Sequence, residues 1–76
     1  MAEMEVEKMI PTPEEHFGIN AGKVYWALNE EQPLTVSQLS RETKLRKDEI
    51  DGALGWLARE GKVIITSDKP LKFTRL

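Results

Sequence analysis

The run TVSQLSRETKLRKDEIDGALGWLAREG, residues 35–61, decides the fold. Thr35 and Gln38 form a capping box: the hydroxyl accepts an orphan N–H of the first turn while the Gln amide reaches back, so a short helix is expected from Val36 to about Thr43. Leu39 and Thr43 complete its buried stripe. Only Lys44, Leu45 and Arg46 separate it from the next helical period, and a connection that short between two helices is the signature of a helix-turn-helix, with Leu45 plugging the angle between them. The following helix is expected from Lys47 to Glu60. Asp48 and Glu49 face the positive end of its dipole, Ile50, Ala53, Leu54 and Leu57 point inward, and Gly61 stands just past its end.

Upstream, Ala21, Val24, Tyr25 and Leu28 share one face at a 3.6-residue period, which predicts a first helix over Ile19 to Glu31 with Asn20 as its N-cap. Thr12, Pro13, Glu14 and Glu15 fit a capping box of their own, so a separate helical turn is expected there before Gly18 interrupts it. Pro33 ends the first helix and leaves Leu34 extended. Residues 1–13 alternate acidic and apolar side chains without a sustained period, and read as a loosely ordered acidic arm ahead of a domain over 14–76.

Downstream of Gly61, Val63 to Thr66 are strand formers, Ser67 to Pro70 are turn residues, and Leu71 to Leu76 alternate apolar and polar. These make a β-hairpin. Pro70 has no N–H and belongs in the turn, while Lys69 and Lys72 discourage edge-to-edge pairing. The predicted architecture is α+β, mainly α. It is a winged helix-turn-helix: three helices, a short extended segment between helices one and two, and a C-terminal two-stranded hairpin wing.

Composition bounds what such a chain does. The 76 residues allow one small core, and with 39% hydrophobic residues, 32% charged and no Cys, packing holds the domain without disulfides or thiolate metal centres. No apolar run approaches the roughly 20 residues of a membrane span, and the acidic N-terminus lacks the zones of a signal peptide, so a cytoplasmic protein with no membrane partner is expected. The acidity is concentrated in residues 1–15: Glu3, Glu5, Glu7, Glu14 and Glu15 against Lys8 leave +2 for everything after Glu15. His16 is the single histidine and lacks partners for a zinc site. Ser37, Ser40 and Ser67 have no histidine placed to activate them, and no Gly-rich phosphate loop follows a strand. Neither an enzyme nor a cofactor or small-molecule site is expected.

The segments Gly18-Ile-Asn-Ala-Gly-Lys-Val-Tyr-Trp-Ala-Leu28 and Ala53-Leu-Gly-Trp-Leu-Ala-Arg-Glu-Gly-Lys-Val63 resemble an uncharacterised winged helix-turn-helix family of bacteria and archaea. The resemblance covers about residues 17–67, leaving the arm and the last strand outside. It implies the fold, and DNA binding by analogy only. Lys44 departs from the Gly that helix-turn-helix proteins often carry in the turn; a left-handed backbone suits Lys less well, which predicts a wider turn.

For double-stranded DNA, the third helix would enter the major groove and the wing would lie on neighbouring phosphates. Lys44, Arg46 and Lys47 at the start of that helix, Arg59 near its end, and Lys69 and Lys72 in the wing are the candidate contacts, with Lys62 and Arg75 adding to the wing's charge. Lysines in this dilute pattern also serve simply to solubilise a small domain. The helix's outward face, Asp48, Asp51, Gly52, Gly55 and Arg59, is poor in base-reading side chains, so weak or non-specific contacts are expected.

Gly52 and Gly55 together penalise the third helix by something approaching 2 kcal/mol relative to Ala. Two readings of the pair stay open. Either a protein partner or second copy approaches this face with Trp56 as anchor, or Trp56 packs under the wing and the glycines relieve crowding within one chain. Trp26 lies opposite the core face of the first helix. The arm is expected to cover it, with Met9, Ile10, Phe17 or Ile19 as lids; a partner surface is the alternative.

Overall fold

A computed structural model describes residues 12–30 and 32–76 of the chain. Its elements are α1 (Pro13–Glu30), α2 (Val36–Thr43), α3 (Lys47–Arg59), β1 (Val63–Asp68) and β2 (Leu71–Arg75). The predicted order of three helices and a hairpin is the observed one. Residues 1–11, which include Met9 and Ile10, and Glu31 lie outside the described residues.

The first helix differs from expectation. The Thr12 hydroxyl accepts the Glu15 N–H at 3.1 Å, and the helix begun there runs without a break through Gly18. A glycine inside a helix costs only about 1 kcal/mol, which the packing of Ala21, Val24 and Leu28 outweighs. Asn20 is therefore no N-cap but a helix-interior residue, 6% exposed, whose Nδ2 has no hydrogen-bond partner. An unsatisfied buried amide costs about 1–3 kcal/mol. Asn20→Leu, which keeps the branched shape of the side chain and is a better helix former, is expected to raise the melting temperature by about 4–8 °C per kcal/mol recovered. A thermal melt with no rise would mean the amide is satisfied.

The helix-turn-helix follows its sequence signals. The Gln38 N–H donates to the Thr35 hydroxyl at 3.1 Å and the Thr35 N–H donates to Gln38 Oε1 at 2.8 Å, closing the capping box of α2. Lys44 corrects the expectation of a wide turn: it adopts the left-handed conformation, φ 67°, and its N–H donates to Ser40 O at 2.9 Å. Three hydrogen bonds secure this arrangement. The Thr43 hydroxyl donates to Leu39 O and accepts the Leu45 N–H, while the Ser40 hydroxyl donates to Leu45 O. The turn stays tight and Leu45 is buried in the angle. Because the left-handed region costs a non-glycine residue about 1–2 kcal/mol, Lys44→Gly is expected to gain up to about 1 kcal/mol after the extra unfolded-state freedom is subtracted. Urea titration measures it; a loss would show that the Lys side chain stabilises the turn.

At the end of α3, Gly61 takes φ 71°. Its N–H donates to Ala58 O at 3.0 Å and the Lys62 N–H donates to Leu57 O at 2.9 Å, a Schellman ending. The chain then turns into β1, which pairs antiparallel with β2: Val63 with Arg75, Ile64 with Thr74, Ile65 with Phe73, and Asp68 with Leu71, around a bulge at Thr66. The first strand runs two residues beyond the predicted Thr66, which confines the turn to Lys69 and Pro70. Leu34 and Phe73 exchange both N–H···O bonds, at 3.0 and 2.8 Å, so the extended segment after α1 adds a third rung beside β2.

One core joins all of this. Ala21, Val24 and Leu28 of α1 meet Leu39 of α2 and Ile50, Ala53, Leu54 and Leu57 of α3, closed by Leu34, Leu45 and Val63. Among the described residues no helix is long and apolar enough to cross a membrane, and no cluster of His, Asp or Glu could hold a metal ion.

Candidate nucleic-acid interface

The candidate cations stand on the turn, the third helix and the hairpin. Lys44 ends α2, Lys47 opens α3, and both are exposed. Arg59 is exposed in the last turn of α3, beside a shallow recess that it lines with Trp56 and Glu60. Lys69 sits in the hairpin turn, and Lys72 stands opposite Ser67 on β2.

Arg46, Lys62 and Arg75 have partners within the chain. Arg46 is shared between two carboxylates, with Nε 3.4 Å from Asp48 Oδ1 and 3.5 Å from Glu49 Oε1, while its backbone N–H donates to Glu49 Oε1 at 2.9 Å. Arg75 lies over the Tyr25 ring, its guanidinium carbon 4.6 Å from the centroid, and Lys62 Nζ is 6.0 Å from the same centroid and 3.7 Å from Glu60 Oε1. The Tyr25 hydroxyl donates to Leu76 O at 3.4 Å, and the Arg75 N–H donates to Gln32 Oε1 at 2.9 Å. Tyr25 thus fastens the end of the wing to α1 by cation–π attraction and a hydrogen bond. Sequence reading counted Lys62 and Arg75 with the wing's charge, since nothing local tells that an α1 tyrosine takes them.

The two glycines of α3 part company. A Cβ on Gly52 would stand 2.6 Å from Phe17 Cε1 and 3.0 Å from Cδ1, so Gly52 is not part of an open outward face; α1 packs its Phe17 there. Phe17 in turn stacks on Trp56, centroids 6.2 Å apart and 16° between planes, with His16 edge-on to Phe17 at 5.1 Å. Crowding within one chain explains Gly52. Gly55 has open space instead, with nothing within 4 Å of a built Cβ. Gly55→Ala is therefore expected to gain about 0.8–1 kcal/mol. Gly52→Ala forces the ring off Trp56 and is expected to be about 1–3 kcal/mol less stable than Gly55→Ala. Equal stabilities in a denaturant series would mean that Phe17 moves freely.

Trp26 is 66% exposed, and the expected lids within the described residues do not cover it. Phe17 is committed to Gly52 and Trp56, and Ile19 is itself 58% exposed. Extending the helical period back through Gly18 would have shown Ile19, Gly22 and Trp26 on one outward stripe.

Comparison with known proteins agrees with this architecture. The family model described as winged helix-turn-helix domain (DUF2582) matches residues 11–76, which brings the last strand inside the match that the sequence motifs alone had ended near residue 67. A search of curated proteins found no match. Among solved structures, the solution NMR structure of protein BT2368 from Bacteroides thetaiotaomicron is 35% identical, with a TM-score of 0.78 over 84% of this chain and 79% of that one. With a match spanning nearly the whole described fold and a neighbour at that identity, the chain belongs to the winged helix-turn-helix domain family DUF2582.

Proposed function

We propose that this chain is a double-stranded DNA-binding module that holds duplex phosphates without reading their sequence. One observation carries the reading. Lys44, Lys47, Arg59, Lys69 and Lys72 have no ion pair among the described residues and occupy the turn, the third helix and the wing tip, where a winged helix meets a duplex, whereas Arg46, Lys62 and Arg75 are held by carboxylates or by Tyr25. Lys47 opens α3, so its ammonium reaches a phosphate at the helix's positive end.

Sequence-independent contact follows from the rest of α3. Asp48, Asp51 and Gly55 occupy exposed positions where base readers would stand, and two carboxylates beside the groove oppose phosphates. Within the body of the helix, past Lys47 at its first position, Arg59 alone combines exposure with the right chemistry. The module works as a weak cytoplasmic clamp, with no catalytic role assigned to any residue. An α3 protein interface through Gly55 and Trp56 loses its main support once Phe17 fills the space at Gly52.

The test is an NMR titration of the labelled chain with a generic duplex at low and moderate salt. Shifts at Lys44, Lys47, Lys69 and Lys72 that shrink as salt rises are the expected result. No shifts at low salt would end the reading.

A further inference from the structure

The outward face of α1 is an apolar feature that this function leaves unused. Ile19 and Trp26 stand two turns apart on it, Gly22 lies between them with open space around a built Cβ, and the stripe is diametrically opposite the core residues of the same helix. Beside Trp26, a groove of about 270 Å³ opens between α1 and α2, flanked by Lys23, Glu30 and Glu42. A 66% exposed indole next to an exposed isoleucine on a helix that needs neither for its own core is the kind of apolar surface that other macromolecules cover.

We propose that this face is the contact between two copies of the chain, related by a two-fold axis. A two-fold contact presents one patch to itself, so the patch must hold both members of every pair it makes. This one does. Trp26 projects from the helix and Gly22, one turn away, has no side chain and open space beyond its backbone, so two antiparallel α1 helices can each seat an indole on the partner's Gly22. The charges are also self-complementary: Lys23 is accompanied by Glu30 and Glu42, where a patch of one sign would repel its copy. The cations assigned to DNA are not in this stripe. Pairing would therefore double the phosphate contacts on one duplex without sacrificing any, and a module with so few contacts gains most from it. The dimer stands whether or not DNA is the ligand, and its test contains none.

Sedimentation of the full chain from micromolar to millimolar concentration is the experiment, with Trp56→Phe used in parallel to leave Trp26 as the only indole. The mass is expected to rise from one chain to two as the Trp26 emission shifts to shorter wavelength over the same range. Gly22→Gln fits the monomer and improves its helix propensity, so it should stay folded by circular dichroism while associating at least tenfold more weakly. A Lys23→Glu chain and a Glu30→Lys, Glu42→Lys chain should each remain monomeric alone and pair when mixed. A single-chain mass at millimolar concentration overturns the proposal, as does undiminished association of Gly22→Gln. Short-wavelength Trp26 emission that is independent of concentration and disappears when residues 1–11 are deleted would assign the face to the arm instead.

Discussion

Ile50→Ala is expected to remove about 2–5 kcal/mol of stability, a large share of what so small a domain has to lose. Ile50 is completely buried at the start of α3, in the single core that also contains Leu39, Leu45 and Leu54. Its side chain loses the transfer free energy of the deleted carbons and leaves a cavity that α2 cannot fill, because the turn between α2 and α3 is held by the Thr43 and Ser40 hydroxyls. A 76-residue domain at typical values carries only about 4–11 kcal/mol in total. Ile64→Ala, on a side chain that is 45% exposed, is the control and is expected to change stability by about 0.5 kcal/mol or less. Equal losses for the two in a urea titration would mean that the core does not center on the helix-turn-helix.

Lys69→Ala with Lys72→Ala should produce the largest functional change, read as the slope of log affinity against log salt. Five phosphate contacts give a slope of about −4.5, so duplex affinity would fall by about 500-fold between 50 and 200 mM salt; with two contacts removed the fall shrinks to about 40-fold. Arg75→Ala removes half as much charge, three residues from Lys72, and takes away a side chain that sits on Tyr25. It is expected to leave the slope unchanged and lower stability. If the double variant keeps the wild-type slope, the wing does not touch phosphate, and if Arg75→Ala flattens it about half as much, the binding follows total charge and not position.

The parts of this fold that were legible in the sequence are those whose causes lie within a few residues of one another. The Thr35–Gln38 box, the three-residue turn, the Gly61 ending and the strand formers after it each act over one helical turn or one hairpin, and all occur where their chemistry puts them. The two local misreadings have a common origin. Gly18 was weighed by propensity alone, about 1 kcal/mol, and Lys44 by its intrinsic dislike of a left-handed backbone, about 1–2 kcal/mol. Both costs are smaller than what burial of an α1 face and three hydrogen bonds in the turn return.

The candidate cations were legible as residue types, but their availability was not. A lysine or arginine in a sequence carries its charge wherever it stands; whether that charge faces a ligand depends on residues distant along the chain. Tyr25, fifty residues before Arg75, decides that the last wing cation serves the fold. Phe17, thirty-five residues before Gly52, decides that this glycine is a packing site and not an open surface. By itself, then, the sequence determined the order of elements, the core stripe of each helix and the stock of charged side chains, because period and capping are short-range physics. Only the tertiary structure decided which cations have a carboxylate or aromatic partner, which glycine is filled and that Trp26 stands uncovered by Phe17 or Ile19, because those depend on how α1 is laid across α3 and the wing.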